Sequence, residues 1–263
     1  MRTNRASFAK SFQSLPAWVC GYCRAATLVA EANGNFQLEW TSSQAARGHD
    51  AWEPDWIDQG FAAFLDCPEC SSGTIVSGKI EIDIYGSHNG TEVDYYYKPL
   101  AFTIAPATLS TSATLPDAIE EKLQPIFRHI WNDPEACGGA IRRCVEAILD
   151  ERKVPKVKRA NGTQSTIKTH HRIEHHLPPK MSDAKVHLMA LKWIGNNGAH
   201  NSKSAHTREE LLDACEHLEE ALTSIYGDQR KRTLERRAKN ISNRRGKPLP
   251  KPARLKRRKP KSS

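Results

Sequence analysis

Two Cys-x-x-Cys pairs, Cys20/Cys23 in WVCGYC and Cys67/Cys70 in LDCPEC, constrain this chain more than any other feature. A tight turn inside each pair aims two thiolates at one point, and two such pairs supply the four sulfurs of a closed tetrahedral metal site. Gly21 and Pro68 suit those turns. Convergence of the pairs makes residues 20 and 70 neighbours, so the 43 residues between them fold as an insert in a metal-nucleated module. That interval exceeds the roughly 15–20 residues of an uninterrupted ribbon. Redox dithiols share the spacing, but no strand–helix–strand pattern frames either pair. The expected cofactor is Zn2+ in a structural role, since four cysteines leave no position for water.

The insert carries a strand-like FQLEW (36–40) and an acidic aromatic segment, HDAWEPDWIDQGFAAF (49–64). Trp52 and Trp56 stand four apart, the spacing of one helical face, and are expected to cap a small metal-centred core. A partner-docking surface is the sharper alternative. Base stacking is disfavoured, because Asp50, Glu53, Asp55 and Asp58 would repel phosphate. After Cys70 the apolar period becomes two: Ile80, Ile82 and Ile84 alternate with Lys79, Glu81 and Asp83 in a half-buried strand over 74–85. SHNG (87–90) reads as a hairpin turn, and VDYYYKPLAFTIAP returns with Tyr95, Tyr96 and Tyr97 packed in the sheet. Residues 1–105 thus read as a zinc-ribbon-like β module, too small to rely on apolar burial alone.

Residues 106–115 form a Ser/Thr-rich linker, and helical signals fill 116–226. Thr114 is read as the cap of a helix running to about Trp131; Asn132 or Asp133 caps the next, with Pro134 as its first residue. Cys137, Ile141, Cys144 and Ile148 recur at helical spacing, which makes these thiols core residues, and Arg142 and Glu146 form an i, i+4 pair. A basic stretch with Pro and Asn-Gly (153–166) reads as a mobile loop. In the helix that follows, His171 and His175 lie one turn apart; they could share a metal, although a solvated face is the simpler reading. Ser182 is taken as the N-cap of MSDAKVHLMALKWIGNNGAH, with Val186, Leu188, Met189, Leu191, Trp193 and Ile194 apolar. Gly195, Asn196, Asn197 and Gly198 stop it just before His200. Thr207 and Glu210 then make a capping box for an amphipathic helix through Ile225.

The stretch LKWIGNNGAH, with Gly195, Asn196, Ala199 and His200, resembles the Arg-x-x-Gly-Asn-x-x-Ala-His signature of the bacterial "domain of unknown function 4145" family. That family is a branch of the HEPN-like helical fold. Arg142, Arg143 and Glu146 resemble its Arg-Arg-x-x-Glu helix, and HRIEHHLPP (171–179) its middle helix; the likeness covers about 114–226. Lys192 stands where the family has arginine. The resemblance implies a bundle of four to five helices that commonly pairs as a homodimer. It also implies a setting in bacterial or phage biology, since similar domains accompany restriction enzymes. Ribonucleases of the wider HEPN-like group use an arginine four to six residues before a histidine. Here that window holds Trp193, Ile194 and Gly195. The fold class expected for the whole is α+β: a zinc-ribbon/β module, an all-α HEPN-like bundle and a disordered basic tail.

Charge divides the chain. Residues 227–263 hold 16 Lys/Arg against Asp228 and Glu235, whereas residues 1–226 carry a net charge of −5. A segment so cationic and so poor in apolar residues is expected to be disordered when free and to touch polyanions. Arg230, Lys231, Arg232, Arg236, Arg237, Arg244, Arg245, Lys256, Arg257 and Arg258 are its candidate phosphate contacts. No apolar run reaches the roughly 20 residues of a membrane span, and a cytoplasmic location fits the cysteine usage. Three functions remain. The first is a non-catalytic zinc protein that binds DNA or RNA without sequence specificity, in defence or restriction. The second is a metal-independent ribonuclease in which His200 moves protons, Asn196 orients substrate and Lys192 or Arg142 faces the phosphate. The third is a protein–protein adaptor docking through its Trp-rich insert.

Overall fold

The period-two segments fold into one antiparallel sheet in a computed structural model that describes residues 5–87, 90–110, 114–160, 163–197, 206–227 and 238–243. Its strands, in spatial as in sequence order, are β1 (Val29–Glu39), β2 (Gln59–Asp66), β3 (Gly73–Ser87) and β4 (Gly90–Phe102). Ile80 pairs with Tyr97 and with Gln59, so the alternation read in 74–85 places it on the covered face, 4 % exposed. Ser87 pairs with Gly90 at the β3–β4 connection, whose residues 88–89 lie outside those described. Tyr97 packs edge-on to Phe61 and accepts a hydrogen bond from Gln37 at 2.6 Å.

The β1–β2 connection contains only a short helix, α1 (Thr41–Ala46), and a 3-10 turn, Pro54–Trp56. The expected pairing of Trp52 and Trp56 on one helical face is therefore not formed. Pro54 is the reason: it pushes Glu53 out of the helical region, to φ −126° and ψ 151°. Trp56 lies largely exposed against His49, and Trp52 against Arg47. The tryptophan that fills the module's core is Trp18, two residues before the first cysteine and 1 % exposed.

Among the described residues up to Gly227 five helices follow: α2 (Asp117–Asn132), α3 (Pro134–Glu151), α4 (Thr169–His175), α5 (Lys185–Asn197) and α6 (Arg208–Tyr226). Asp133 caps α3, accepting from the Ala136 backbone N–H at 3.0 Å, and the Thr207–Glu210 capping box forms at α6 as read. Two expected caps move. Thr114 does not cap α2, because Leu115 precedes a proline and avoids helical angles; Pro116 occupies the N-cap position. Ser182 lies inside a 3-10 turn, Pro179–Ala184, that runs directly into α5. The basic stretch read as a loop is a two-stranded hairpin, β5 (Val157–Ala160) with β6 (Thr163–Thr166). Asn-Gly connections favour such hairpins, and the flanking strands carry the β-branched Val157, Thr163 and Thr166; residues 161–162 are not among those described.

Sheet and helices share one core. Trp131 at the end of α2 meets Phe8, Trp18 and Phe102 at ring-centroid separations of 5.3, 5.8 and 4.8 Å. Trp18 donates its indole N–H to the Ser7 carbonyl at 2.7 Å. Deeper in the bundle Ile119, Leu123, Phe127, Ile141, Ile148, Leu188 and Leu218 are wholly buried. Residues Met1–Gly227 make one compact unit and Asp228–Ser263 another. In the second, residues 238–243 are helical and exposed. The ten candidate phosphate contacts of the tail, from Arg230 to Arg258, lie outside the described residues. Among the described residues no helix is long and apolar enough to cross a membrane.

Candidate metal centre and basic pocket

The two cysteine pairs sit on loops of matching backbone. Cys20/Cys23 lie between two short bridged segments, and Cys67/Cys70 link β2 to β3. In each loop the residue after the second cysteine is left-handed, Arg24 at φ 56° and Ser71 at φ 57°. Each of these donates its backbone N–H to the carbonyl of the first cysteine, Arg24 to Cys20 at 3.1 Å and Ser71 to Cys67 at 2.9 Å. Gly21 is obligatory for steric reasons: a Cβ there would stand 1.8 Å from the Ala105 carbonyl oxygen.

These turns bring all four Sγ atoms within 4.8 Å of one another. Cys20 and Cys70 are 3.9 Å apart, and Cys23 and Cys67 3.6 Å. Four sulfurs held ~2.3 Å from a tetrahedral ion are separated by about 3.8 Å, so the thiols already define a four-coordinate cage. Burial pushes the Cys20 thiol up to about 12, whereas hydrogen bonds of Ser72 bring Cys70 down to about 6. A cation inside the cage would favour the thiolate form of every member. The cage is tied to α2 by Gln124, which donates to the Gly21 carbonyl at 2.8 Å, and by the Arg24–Glu120 ion pair.

The other three cysteines are buried helical residues, as their spacing indicated. Cys137, Cys144 and Cys215 are all 0 % exposed, and desolvation raises each thiol above its ordinary value. A second group able to approach one ion, His171, Glu174 and His175, is exposed on α4, with Glu174 already bonded to His170 at 2.8 Å.

The motif residues of the bundle meet at the junction of α3, α4 and α5. Arg142 donates to Glu146 Oε1 and to Asn196 Oδ1, each at 3.1 Å, and Thr169 donates to Glu146 Oε1 at 3.0 Å. Gly195 permits this approach, since a Cβ there would lie 2.5 Å from the Arg142 Cβ. These side chains line a cavity of about 610 Å3 together with Lys192 and the base of the β5–β6 hairpin. Its wall holds five cationic side chains, Arg142, Lys156, Lys168, Arg172 and Lys192, against the single carboxylate of Glu146. Just outside, Asp150 takes Lys156 at 3.0 Å and Arg172 at 2.7 Å. Lys192 is 7 % exposed, and its ammonium lies over the Trp193 ring. Desolvation, with Arg142 nearby, lowers its pKa below the ordinary lysine value. Of the candidate catalytic residues, Arg142, Lys192 and Asn196 are thus brought together; His200 lies outside the described residues. Spacing in the sequence does not point to Lys156, Lys168 and Arg172, because they reach the pocket only through the packing of α4 and of the segment before β5.

Two family models match this chain. Residues 124–244 match one described as "Domain of unknown function (DUF4145)", the family that the LKWIGNNGAH stretch resembles; the match starts later than that likeness and continues past residue 226. Residues 7–102 match a second, described as "Domain of unknown function (DUF8608)", which spans both cysteine pairs and the four-stranded sheet. No curated protein and no solved structure matches the chain.

Proposed function

We propose that this is a non-catalytic, nucleic-acid-associated zinc protein. The compact unit would be the scaffold, and the basic C-terminal segment would grip the phosphate backbone of DNA or RNA without sequence specificity. One observation carries the reading: the boundary of the compact unit, at Gly227, coincides with the reversal of charge. Up to residue 226 the chain is net acidic, and beyond it 16 Lys/Arg stand against two acids. Cations gathered outside a fold contribute little to that fold, and their effect is on association with polyanions. In the scaffold, Cys20, Cys23, Cys67 and Cys70 would hold structural Zn2+, for which an all-sulfur cage of this spacing is suited. A HEPN-like bundle pairing as a homodimer, a cytoplasmic location and a role in bacterial or phage defence complete the proposal by analogy with the resembled family.

The test is a binding titration at two salt concentrations, using labelled duplex DNA and RNA, with the full chain and with a chain ending at Gly227. Binding that falls steeply with salt and is lost with the tail supports the reading, because each neutralised phosphate steepens the log–log slope by about 0.9 for duplex DNA and 0.7 for single strands. Equal absence of binding in both chains refutes it and leaves the adaptor reading.

The Arg142–Asn196 hydrogen bond favours a second reading, the ribonuclease. It holds Asn196, which stands four positions before His200 in the sequence, in the pocket wall that also carries Lys192, where a reacting phosphate would find cations. RNA cleavage abolished by His200→Ala would establish it; cleavage unchanged by that substitution would remove it.

A further inference from the structure

The basic cavity contains an electrostatic imbalance. An ammonium on a largely buried stem that opens into a pocket is stabilised by a counter-charge or several hydrogen bonds. Among the described residues Lys192 has neither; its one close contact is the face of Trp193. Two buried nitrogens of the same wall, Arg172 Nε and His170 Nδ1, lack a hydrogen-bond partner among the described residues. Glu146 is the sole carboxylate of the lining and is already shared between Arg142 and Thr169. Arg142, meanwhile, keeps N–H groups of its guanidinium beyond those given to Glu146 and Asn196.

We infer that this cavity is a binding site for one phosphate group, held by Lys192, Arg142 and Lys168 and carried either by a small phosphate or by the phosphorylated end of a nucleic-acid strand. Three cations with several directed N–H donors match a tetrahedral dianion better than a monoanionic carboxylate, which a single guanidinium fork satisfies. The volume fits such an occupant, since 610 Å3 is far more than the roughly 30 Å3 share of one water. Access is provided on the hairpin side, where β6 is exposed along its length and Lys158 and Arg159 of β5 extend the positive surface outward. A phosphate so seated supplies the counter-charge that Lys192 lacks. The lowered pKa of Lys192 agrees with a site prepared for an anion. The inference needs neither the tail's contact with nucleic acid nor any cleavage.

The test uses the full chain and two variants: Lys192→Met, which keeps length and apolar stem, and Lys168→Ala at an exposed position. Calorimetric titration with inorganic phosphate should give saturable binding to the parent protein, weakened about tenfold or more in each variant. Sodium acetate at the same ionic strength should not reproduce it. A second arm compares a short oligonucleotide with and without a 5′-phosphate. Preference for the phosphorylated form that disappears in Lys192→Met identifies a strand end as the source; a Lys192-dependent response to inorganic phosphate alone identifies a small phosphate. The inference is overturned if neither ligand distinguishes parent from variants, or if acetate binds as well as phosphate. Because Lys168→Ala changes an exposed side chain, loss of folding in Lys192→Met would not obscure the result. Failure here leaves the tail reading untouched, since that reading is decided by removing the tail.

Discussion

The same residue type does two jobs in this molecule. Cys20, Cys23, Cys67 and Cys70 sit on turns that end in left-handed residues and face one another, with Cys20 and Cys67 buried and Cys23 and Cys70 half-buried. Cys137, Cys144 and Cys215 sit inside α3 and α6, sealed among Ile, Leu and Val side chains. The difference lies in the backbone. A helix separates its side chains around a cylinder and brings no second thiol into line, so a buried thiol there behaves as a small hydrophobe with at most a weak hydrogen bond, as from Thr108 to Cys215. A tight turn points two thiols the same way, and a second turn of the same shape completes a cage. The contrast extends to the regions that contain them, for the sheet module adds a four-sulfur cluster to the apolar core that it shares with the bundle.

The largest effect should follow removal of the cage. Cys67→Ser with Cys70→Ser should abolish stoichiometric metal binding and forfeit metal-linked stability on the order of 10 kcal/mol, the scale of structural zinc in small domains. Metal content by mass spectrometry and thermal melting with and without a chelator would read both. The control is Cys144→Ala, which should leave metal content intact; loss of metal there would break the distinction between the two sets of thiols. Next comes Trp131→Ala, where the core of the module meets that of the bundle. Deleting a ring packed on Phe8, Trp18 and Phe102 should cost about 3–5 kcal/mol in denaturant unfolding. A loss below 1 kcal/mol would mean that the two regions are stabilised separately.

Much of this contrast was legible in the sequence, because it is local. The cysteine spacing, the alternation around Ile80 and the Thr207–Glu210 box each depend on residues a few positions apart. Proline decides two of the departures from helical spacing: Leu115 and Glu53 both precede prolines, whose rings disfavour helical angles in the residue before them. What spacing could not show was the association of distant segments. Trp18 and Trp131 stand 113 positions apart in sequence and meet only because the module packs on α2. Lys156, Lys168, Arg172 and Lys192 become one cationic wall only when α4 and the segment leading into the hairpin come together with α5. Family resemblance located Arg142, Glu146 and Asn196 but named no neighbours from the hairpin.

A smaller effect probes the bundle's closest approach. Gly195→Ala should destabilise by about 1–3 kcal/mol, since the new methyl would meet the Arg142 Cβ and the Gly138 carbonyl of α3. Gly139→Ala, whose added methyl meets only the mobile end of Arg143 at 3.5 Å, should instead gain up to about 1 kcal/mol from helix propensity. Equal effects at the two positions in urea unfolding would mean that α3 and α5 are not in contact at Gly195.

The smallest effect belongs to the α6 start, where stability rests on hydrogen bonds and on neither metal nor packing. Thr207→Ala should cost about 1 kcal/mol, because it leaves the Glu210 backbone N–H without its acceptor. The other half of the box adds a pH dependence. The Thr207 backbone N–H bonded to Glu210 Oε2, at 2.8 Å, holds that carboxyl below its ordinary value. A depressed carboxylate pKa means that the unfolded chain binds the proton more readily, so this contribution is fully present above the ordinary glutamate value and disappears as pH falls through the lowered one. Glu210→Gln retains an acceptor but no titrating charge, so it should remove that share of the acid-side loss while keeping helix content at neutral pH. An unchanged acid limb in Glu210→Gln would assign the loss to other carboxylates, such as Asp150 between Lys156 and Arg172. The box would then hold α6 by geometry alone.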